Sequence, residues 1–346
     1  MTSSRTTADT NKHTFYGMSS NVTHGGGRID GIDFVKCVCI ILMVAFHIAA
    51  FGDSYPYAKS IVYTFHMPAF LIISGFLMGF GKPAKAFAIS MLRLALPYVI
   101  VEMLYVAMAS VMPIREHIDL LTPAVMLDVL LLHPIGPYWY LHTMIICGGV
   151  MYMVSRLTRL SPSGTLIVSA LLLYGFSLCL DNSGFFVNSL YFLAGAALRR
   201  SGLAFDAFFK PTPLAVVPFA ILACHPSCTD KSAAGGVMMV CLAVSFMLYI
   251  YKVCEQAEAK GSAVCPFMRR LCLFIGRNTL VILLFSPVFT AAARLYQPLL
   301  MGIDASGMLF MAVTVAAAVA GSVAFGMISD RLGISTYIFL RHKVVG

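Results

Sequence analysis

Apolar residues occupy most of the chain in long runs, and short polar segments separate the runs. A transmembrane helix needs roughly 17–25 mostly apolar residues, and nearly all of the runs reach that length. The runs do not alternate apolar and polar residues with a period of two, as the strands of an outer-membrane barrel would. We therefore predict an all-α integral membrane protein with about ten transmembrane helices. The predicted spans are 34–51, 59–80, 86–112, 137–157, 164–180, 184–198, 211–226, 233–254, 271–296 and 306–329.

The composition agrees with a lipid environment. Of the 346 residues, 59% are apolar and only 11% are charged, whereas soluble domains carry about 25% charged residues. Lipid must therefore replace water around much of the surface. This argues against a soluble enzyme and against a nucleic-acid-binding protein, so we expect membrane lipid, and no nucleic acid, among the partners.

The placement of the basic residues predicts the topology. With a cytoplasmic N-terminus, 17 of the 24 basic residues fall on the cytoplasmic side, four on the opposite side and three inside spans. Such a bias is the positive-inside signal, and it places both termini in the cytoplasm. Residues 1–27 are rich in Ser, Thr, Asn and Gly, which is typical of a disordered tail. We expect a membrane core over 28–340 and a short C-terminal tail over 341–346.

A few ionisable side chains fall inside the predicted spans. Such side chains are costly in lipid and are functional candidates by default. The lysine and the arginines lie toward the predicted cytoplasmic ends of their spans, and the histidines and the glutamate lie in the middle or outer part. The seven residues are Lys36, His47, His66, Arg93, Glu102, His142 and Arg277.

Lys36 and His47 are 11 residues apart in the first span, so they share a helix face and lie about 16 Å apart along its axis. Asp33 can pair with Lys36 one turn earlier. A cation at the cytoplasmic mouth suits the phosphates of an acyl-CoA, and a histidine deeper in can act as general base on an acceptor hydroxyl. Transporters also use buried charged groups. A secondary transporter or flippase for a polar substrate therefore stays open, as does a non-catalytic scaffold.

Six short motifs follow one another along this core. They are Arg28-Ile29-Asp30 leading to Lys36 and His47; Phe65-His66-Met67-Pro68 with Ser74-Gly75; Arg93 with Pro97-Tyr98; Trp139-Tyr140-Leu141; Phe192-Leu193-Ala194-Gly195; and Gly276-Arg277-Asn278-Thr279-Leu280. In this order they resemble the acyltransferase 3 family of membrane proteins, and they are closest to its fucose 4-O-acetylase-like branch. The resemblance runs from Arg28 to about Leu280.

The resemblance implies an O-acyltransferase that moves an acyl group, usually acetyl, from a cytoplasmic acyl-CoA to a hydroxyl of a cell-surface polysaccharide or lipid-linked glycan precursor. It also implies a multi-pass protein of the bacterial cytoplasmic membrane, and it leaves the oligomeric state open. The ten cysteines contain no paired CxxC motifs, so no metal is expected.

The same resemblance assigns roles to individual residues. His47 and His66 are the catalytic candidates, and Lys36, Arg93 and Arg277 are the candidates for binding the acyl-CoA. Ser74, Trp139 and His142 are expected at the acceptor end, together with His66. The complete set of candidate substrate-binding residues is Asp33, Ser74, Glu102, Trp139, His142 and Asn278.

Overall fold

A computed structural model of the chain describes residues 29–111, 118–261 and 264–346, and within these ranges the regular structure is helical, with no strand. The predicted disordered tail over 1–27 lies outside the described residues. The α-helices are α1 (Asp30–His47), α2 (Ala49–Ser54), α3 (Pro56–Leu77), α4 (Ala84–Val111), α5 (Pro123–Leu131), α6 (Trp139–Leu157), α7 (Pro162–Cys179), α8 (Ser183–Arg200), α9 (Phe205–Phe208), α10 (Val216–Ala223), α11 (Ala234–Ala259), α12 (Val264–Arg277), α13 (Thr279–Ala292), α14 (Gln297–Ile303), α15 (Met308–Arg331) and α16 (Ile334–Ile338).

Every predicted span contains helix, but several spans are broken. By length and hydropathy, five of the described helices can cross a membrane, namely α3, α4, α7, α11 and α15. The number rises to seven if each of two sharply bent pairs, α5 with α6 and α12 with α13, forms one span. The chain is therefore an all-helical, multi-pass membrane protein, while the count of ten spans and the orientation of the termini stay predictions.

Helix α1 lies inside the bundle, in contact with α3, α11, α12, α13 and α15. Asp30 and Asp33 lie in its first turn, where negative charge is stabilised by the helix dipole. The helix ends at His47 because Ile48 takes an extended backbone conformation, with ψ of 105°, before α2 begins. The predicted first span therefore breaks directly after the candidate catalytic histidine.

Helices α3 and α8 meet backbone to backbone through two glycines. A Cβ added to Gly75 would overlap the carbonyl oxygen of Phe192, and a Cβ added to Gly195 would overlap that of Ile72. Small residues are how membrane helices reach such close contact. Because α3 carries His66, this contact positions that histidine relative to α8.

The C-terminal residues fold back onto the bundle. The backbone N–H groups of Val344 and Val345 donate to the Asp330 carboxylate at 3.0 and 3.1 Å. Gly346 N–H donates to Asn278 Oδ1 at 3.1 Å, and Asn278 Nδ2 donates back to the Gly346 carbonyl at 3.2 Å. The segment predicted as a short tail is thus docked at the bend between α12 and α13.

Candidate active site

His47 presents a basic nitrogen at the end of α1. Its Nδ1 lies 2.7 Å from the backbone carbonyl of Met43, one helical turn earlier. Because a carbonyl oxygen can only accept, Nδ1 carries the proton and donates, and Nε2 is left as the basic nitrogen. In this tautomer Nε2 can act as a general base.

His66 adopts the same arrangement on α3. Its Nδ1 lies 2.7 Å from the Val62 carbonyl, the residue is only 1% exposed, and Nε2 has no hydrogen-bond partner among the described residues. Leaving such a buried atom unsatisfied costs about 1–3 kcal/mol, so the site favours a ligand that donates to Nε2. The Tyr63 ring lies between the two histidines, with centroid distances of 5.5 Å to His47 and 5.2 Å to His66. The three side chains form one cluster.

A cavity of about 610 Å³ opens at this cluster, and we call it the outer cavity because His47 lies toward the predicted outer end of its span. The residues that line it and concern its chemistry are His47, Tyr63, His66, Trp139, His142, Asn188 and Lys231. A second outer cavity of about 380 Å³ shares His47 and Trp139 and adds Lys59 and Arg294. Within the part of the chain that the structure describes, no group of three or more His, Cys, Asp or Glu side chains could hold a metal ion. The structure brings His66, Trp139 and His142 together with His47.

His142 connects α6 with the short helix α5. Its Nε2 donates to the Leu131 carbonyl at 2.9 Å, and the residue is buried. Trp139 begins α6, and its ring centroid lies 5.4 Å from the ammonium nitrogen of Lys231. His142 therefore helps to build the wall of the outer cavity, and Trp139 forms an aromatic surface beside a positive charge.

A cavity of about 440 Å³ lies beside the first part of α1, and we call it the inner cavity because Lys36 lies at the predicted cytoplasmic end of its span. Four basic side chains line it, and they come from α1, the loop between α3 and α4, the end of α12 and the C-terminal segment. These are Lys36, Lys82, Arg277 and Arg341. Basic side chains that converge from separate segments suit a ligand with several phosphates, which arginine binds through paired donors and lysine as a point charge.

Asp33 holds two of these cations together. Lys36 Nζ lies 2.6 Å from Asp33 Oδ1, and Arg277 Nε lies 3.5 Å from Asp33 Oδ2. The guanidinium of Arg277 also contacts Asp30 Oδ1 at 3.2 Å. The carboxylates offset part of the positive charge and fix where the cations point. Asp33 is thus placed to position Lys36 and Arg277.

The inner and outer cavities meet at two methionines. Met43 and Met67 line both cavities. Met43 is one turn before His47 on α1, and Met67 directly follows His66 on α3. Lys36 and His47 therefore line successive cavities along one helix, with thioether side chains between them.

Besides Asp33, three candidate residues line neither of these two cavities. Arg93 Nε donates to the Leu340 carbonyl at 3.2 Å. The fully buried Glu102 accepts from the Ile135 backbone N–H at 2.7 Å. Asn278 holds the C-terminal segment as described above. These contacts support the backbone around the cavities, and direct ligand binding by the three residues stays a prediction.

Ser74 lies on the wall of the inner cavity, and its contact with an acceptor stays a prediction. The resemblance put it at the acceptor end, but it lines the inner cavity, where its hydroxyl lies 2.5 Å from that of Tyr140. The reason is distance along α3: Ser74 follows His66 by eight residues, which is about 12 Å of helix. Any contact of Ser74 with a ligand would therefore be on the inner side.

Several lining residues were not singled out by the sequence. Helical spacing could have found two of them, since Tyr63 precedes one candidate histidine by three positions and Met43 precedes the other by four. Lys231 is one of the four basic residues on the predicted outer side, and that exception to the charge bias was a usable signal. Arg341 gave no signal, because its position depends on how the C-terminal segment docks.

Comparison with known proteins is consistent with this geometry. No curated protein and no solved structure matches the chain. The family model of the acyltransferase domain matches residues 29–327, from the start of α1 into α15. Since this match covers most of the chain, including the helices that carry both histidines and both methionines, the chain belongs to the acyltransferase 3 family.

Proposed function

We propose that the chain is a membrane O-acyltransferase that takes an acyl group, most simply acetyl, from a cytoplasmic acyl-CoA. The acceptor is a hydroxyl of a cell-surface polysaccharide or of a lipid-linked glycan precursor, and the protein acts in a bacterial cytoplasmic membrane. The observation that carries the proposal is the order of groups along α1: a cation-lined cavity at Lys36, then Met43, then His47 with its basic nitrogen at Nε2.

The inner cavity supports the donor assignment. Its four basic side chains match the several phosphates of coenzyme A, while Ile40, Phe70 and Leu283 provide apolar wall. A polyanionic head would bind at the cations, and the thin arm that ends in the thioester would extend along the apolar wall toward Met43 and Met67. The thioester then lies near the start of the outer cavity.

The histidine tautomers support the chemical step. His47 Nε2 takes the proton of the acceptor hydroxyl, and the oxygen attacks the thioester carbonyl carbon. The new ester C–O bond forms as the C–S bond breaks, and the imidazolium returns the proton to the departing thiolate. His66 Nε2 accepts a hydrogen bond from the acceptor beside this point. General-base catalysis of this kind contributes about 10²–10⁴-fold to the rate.

The outer cavity supports a glycan acceptor. Trp139 and Tyr63 offer aromatic faces, while Asn182, Asn188 and Ser60 offer hydrogen-bonding groups. A sugar ring has apolar C–H faces and a rim of hydroxyls, so it needs both kinds of contact. The cavity volume of about 610 Å³ leaves room for more than one sugar ring.

The test is acyl transfer by the purified chain in lipid nanodiscs, with acetyl-CoA and an oligosaccharide acceptor. Release of the coenzyme A thiol gives the rate, and mass spectrometry of the acceptor detects the ester. His47→Ala should lower the rate at least ~100-fold and leave acetyl-CoA affinity largely intact. The matched control is His225→Ala, which removes an exposed histidine between α10 and α11 and should keep the wild-type rate.

Three results would count against the proposal. If His47→Ala transfers acetyl groups as fast as wild type, His47 is not the base. If wild type consumes no acetyl-CoA with any acceptor but carries a polar solute across proteoliposomes, the transporter hypothesis is favoured. A Lys36→Ala variant with unchanged acetyl-CoA affinity would show that the inner cavity is not the donor site.

A further inference from the structure

Lys231 brings an ammonium group into the outer cavity. It lies in the loop before α11, and its Nζ donates to Asn188 Oδ1 at 2.8 Å. The same nitrogen lies 5.4 Å from the ring centroid of Trp139, and both partners line the outer cavity. Its backbone carbonyl accepts a hydrogen bond from the Tyr191 hydroxyl. The backbone of Lys231 is therefore held by Tyr191, and its ammonium is held in the cavity by Asn188 and Trp139.

The charge of Lys231 is only partly compensated by its neighbours. The adjacent Asp230 accepts from the Ser232 backbone N–H at 2.8 Å and from the Ser232 hydroxyl at 2.7 Å. Among the described residues, no carboxylate forms an ion pair with Lys231. Burial lowers the pKa of Lys231, and the Asp230 charge acts in the opposite direction. An ammonium has three donors, and Asn188 accepts one of them.

We propose that the acceptor carries an acidic group, a carboxylate or a phosphate, and that Lys231 binds it in the outer cavity. This inference rests on the proposed function and names the class of acceptor. A partly buried ammonium gains most from a ligand of opposite charge, because solvent no longer satisfies it. A uronic acid and a phosphate-bearing glycan precursor both offer such a group.

The cavity also sets how such an acceptor would lie. Trp139 is adjacent to Lys231 and lines both outer cavities together with His47. With the acidic group at Lys231, the sugar ring extends along Trp139 and presents a hydroxyl toward the two histidines. In this arrangement Lys231 selects acceptors that carry an acidic group.

The chain contains a single tryptophan, Trp139, so tryptophan fluorescence reports on the two outer cavities that this residue lines. The experiment titrates the full chain in nanodiscs, without acyl donor, with three matched tetrasaccharides. One is neutral, one carries a glucuronate unit and one carries a phosphate monoester. Wild type should bind one or both acidic probes roughly 10- to 100-fold more tightly than the neutral one. The difference between the two acidic probes tells which acidic group fits.

Three variants separate the charge of Lys231 from other effects. Lys231→Met should bring the affinity for acidic probes down to that for the neutral probe, and Lys231→Arg should keep most of the preference. Asn188→Asp places a carboxylate beside the ammonium and should also remove the preference. The matched control is Lys59→Met in the second outer cavity, where Lys59 is already paired with Asp53 at 3.1 Å. It should keep the preference.

Equal affinity of wild type for acidic and neutral probes overturns the inference. An equal loss of affinity for all three probes in Lys231→Met also overturns it. The same holds if the acidic preference is lost in Lys59→Met and kept in Lys231→Met. These outcomes are separate from those of the proposed function. If the chain prefers acidic probes but transfers no acetyl group, the transferase assignment is wrong and the Lys231 site stands. If the chain transfers acetyl groups but shows no acidic preference, the transferase assignment stands and the Lys231 site is wrong.

Discussion

The contact between α1 and α12 offers a sharp test of how the donor cations are positioned. At Gly276 the two helices touch, and a Cβ added there would overlap the carbonyl oxygen of Asp33. The added atom would also lie 2.6 Å from the Asp33 carbonyl carbon and 3.1 Å from its Cα. All three neighbours are backbone atoms, so no side chain can turn away. The Gly276→Ala substitution must therefore move one helix relative to the other.

The size of the effect follows from these distances. Carbon atoms in contact prefer about 3.5–4.0 Å, so the helices must separate by about 1 Å. Asp33 pairs with Lys36, and Arg277 follows Gly276, so the shift alters both sides of the inner cavity. Overpacking of this kind costs about 1–3 kcal/mol. A displacement of ~1 Å near reacting groups can lower a rate ~100-fold.

The assay measures acetyl transfer and apparent thermal unfolding of Gly276→Ala in nanodiscs. We expect a folded protein with a raised KM for acetyl-CoA, a lowered kcat and a lower unfolding temperature. Gly149→Ala on α6 is the matched control, because a Cβ there meets nothing within 4 Å. It should be neutral or slightly stabilising, since alanine is the better helix former. Wild-type kinetics and unfolding for Gly276→Ala would refute the close contact as the positioning device.

Two further predictions concern residues outside the helices. Arg341→Ala should raise the KM for acetyl-CoA roughly 10-fold, because it removes a cation that lines the inner cavity. The control Lys343→Ala, at an exposed position, should leave the KM unchanged. Equal KM values for the two variants in an acetyl-CoA titration would contradict the role of Arg341. In the loop between α5 and α6, His133 faces the Leu180 carbonyl through Nε2 at 3.1 Å and the Asp128 carboxylate through Nδ1 at 3.0 Å, and these two acceptors raise its pKa. A raised pKa stabilises the fold fully below the ordinary value near 6.5, and the stabilisation is lost as the pH rises through the raised value. His133→Gln should therefore lower the unfolding temperature more at pH 6 than at pH 8.5, and an equal effect at both pH values would exclude the charged pair.

Helix content could be predicted from the sequence because long apolar runs leave the backbone no alternative in lipid. The breaks within the runs could not be predicted in the same way. The run over 271–296 indicates one span, yet the helices on either side of Asn278 meet at 83°. Besides donating to the Phe274 carbonyl, the Asn278 side chain exchanges two hydrogen bonds with Gly346, which is 68 positions away in the chain. A partner so distant leaves no mark on local periodicity.

The parts of the candidate site that lie on one helix were predictable from the sequence, and the parts that depend on distant segments were not. Lys36 and His47 lie on one helix, so their spacing alone indicated that they follow one another along it. The resemblance assigned Arg93 to binding of the donor, and in the structure its Nε donates to the Leu340 carbonyl, 247 positions away. Its neighbourhood is set by docking of the C-terminal segment, which the sequence pattern does not reveal. Ser74 shows the reverse case, because helix geometry from His66 would have placed it on the inner side.

The two methionines between the cavities lie where the acyl group must cross from the inner to the outer cavity. If the donor binds at Lys36 and the acceptor at His47, the acyl carbon has to reach the boundary formed by Met43 and Met67. Methionine is unbranched and has three rotatable side-chain bonds, so it can yield without movement of the helix. A valine or isoleucine would be held nearly rigid at χ1 on a helix. The boundary can therefore separate the two cavities in the resting protein and still admit a thin acyl chain. This requires that α1 and α3 keep their positions, and the close helix contacts at Gly276 and Gly75 hold them there.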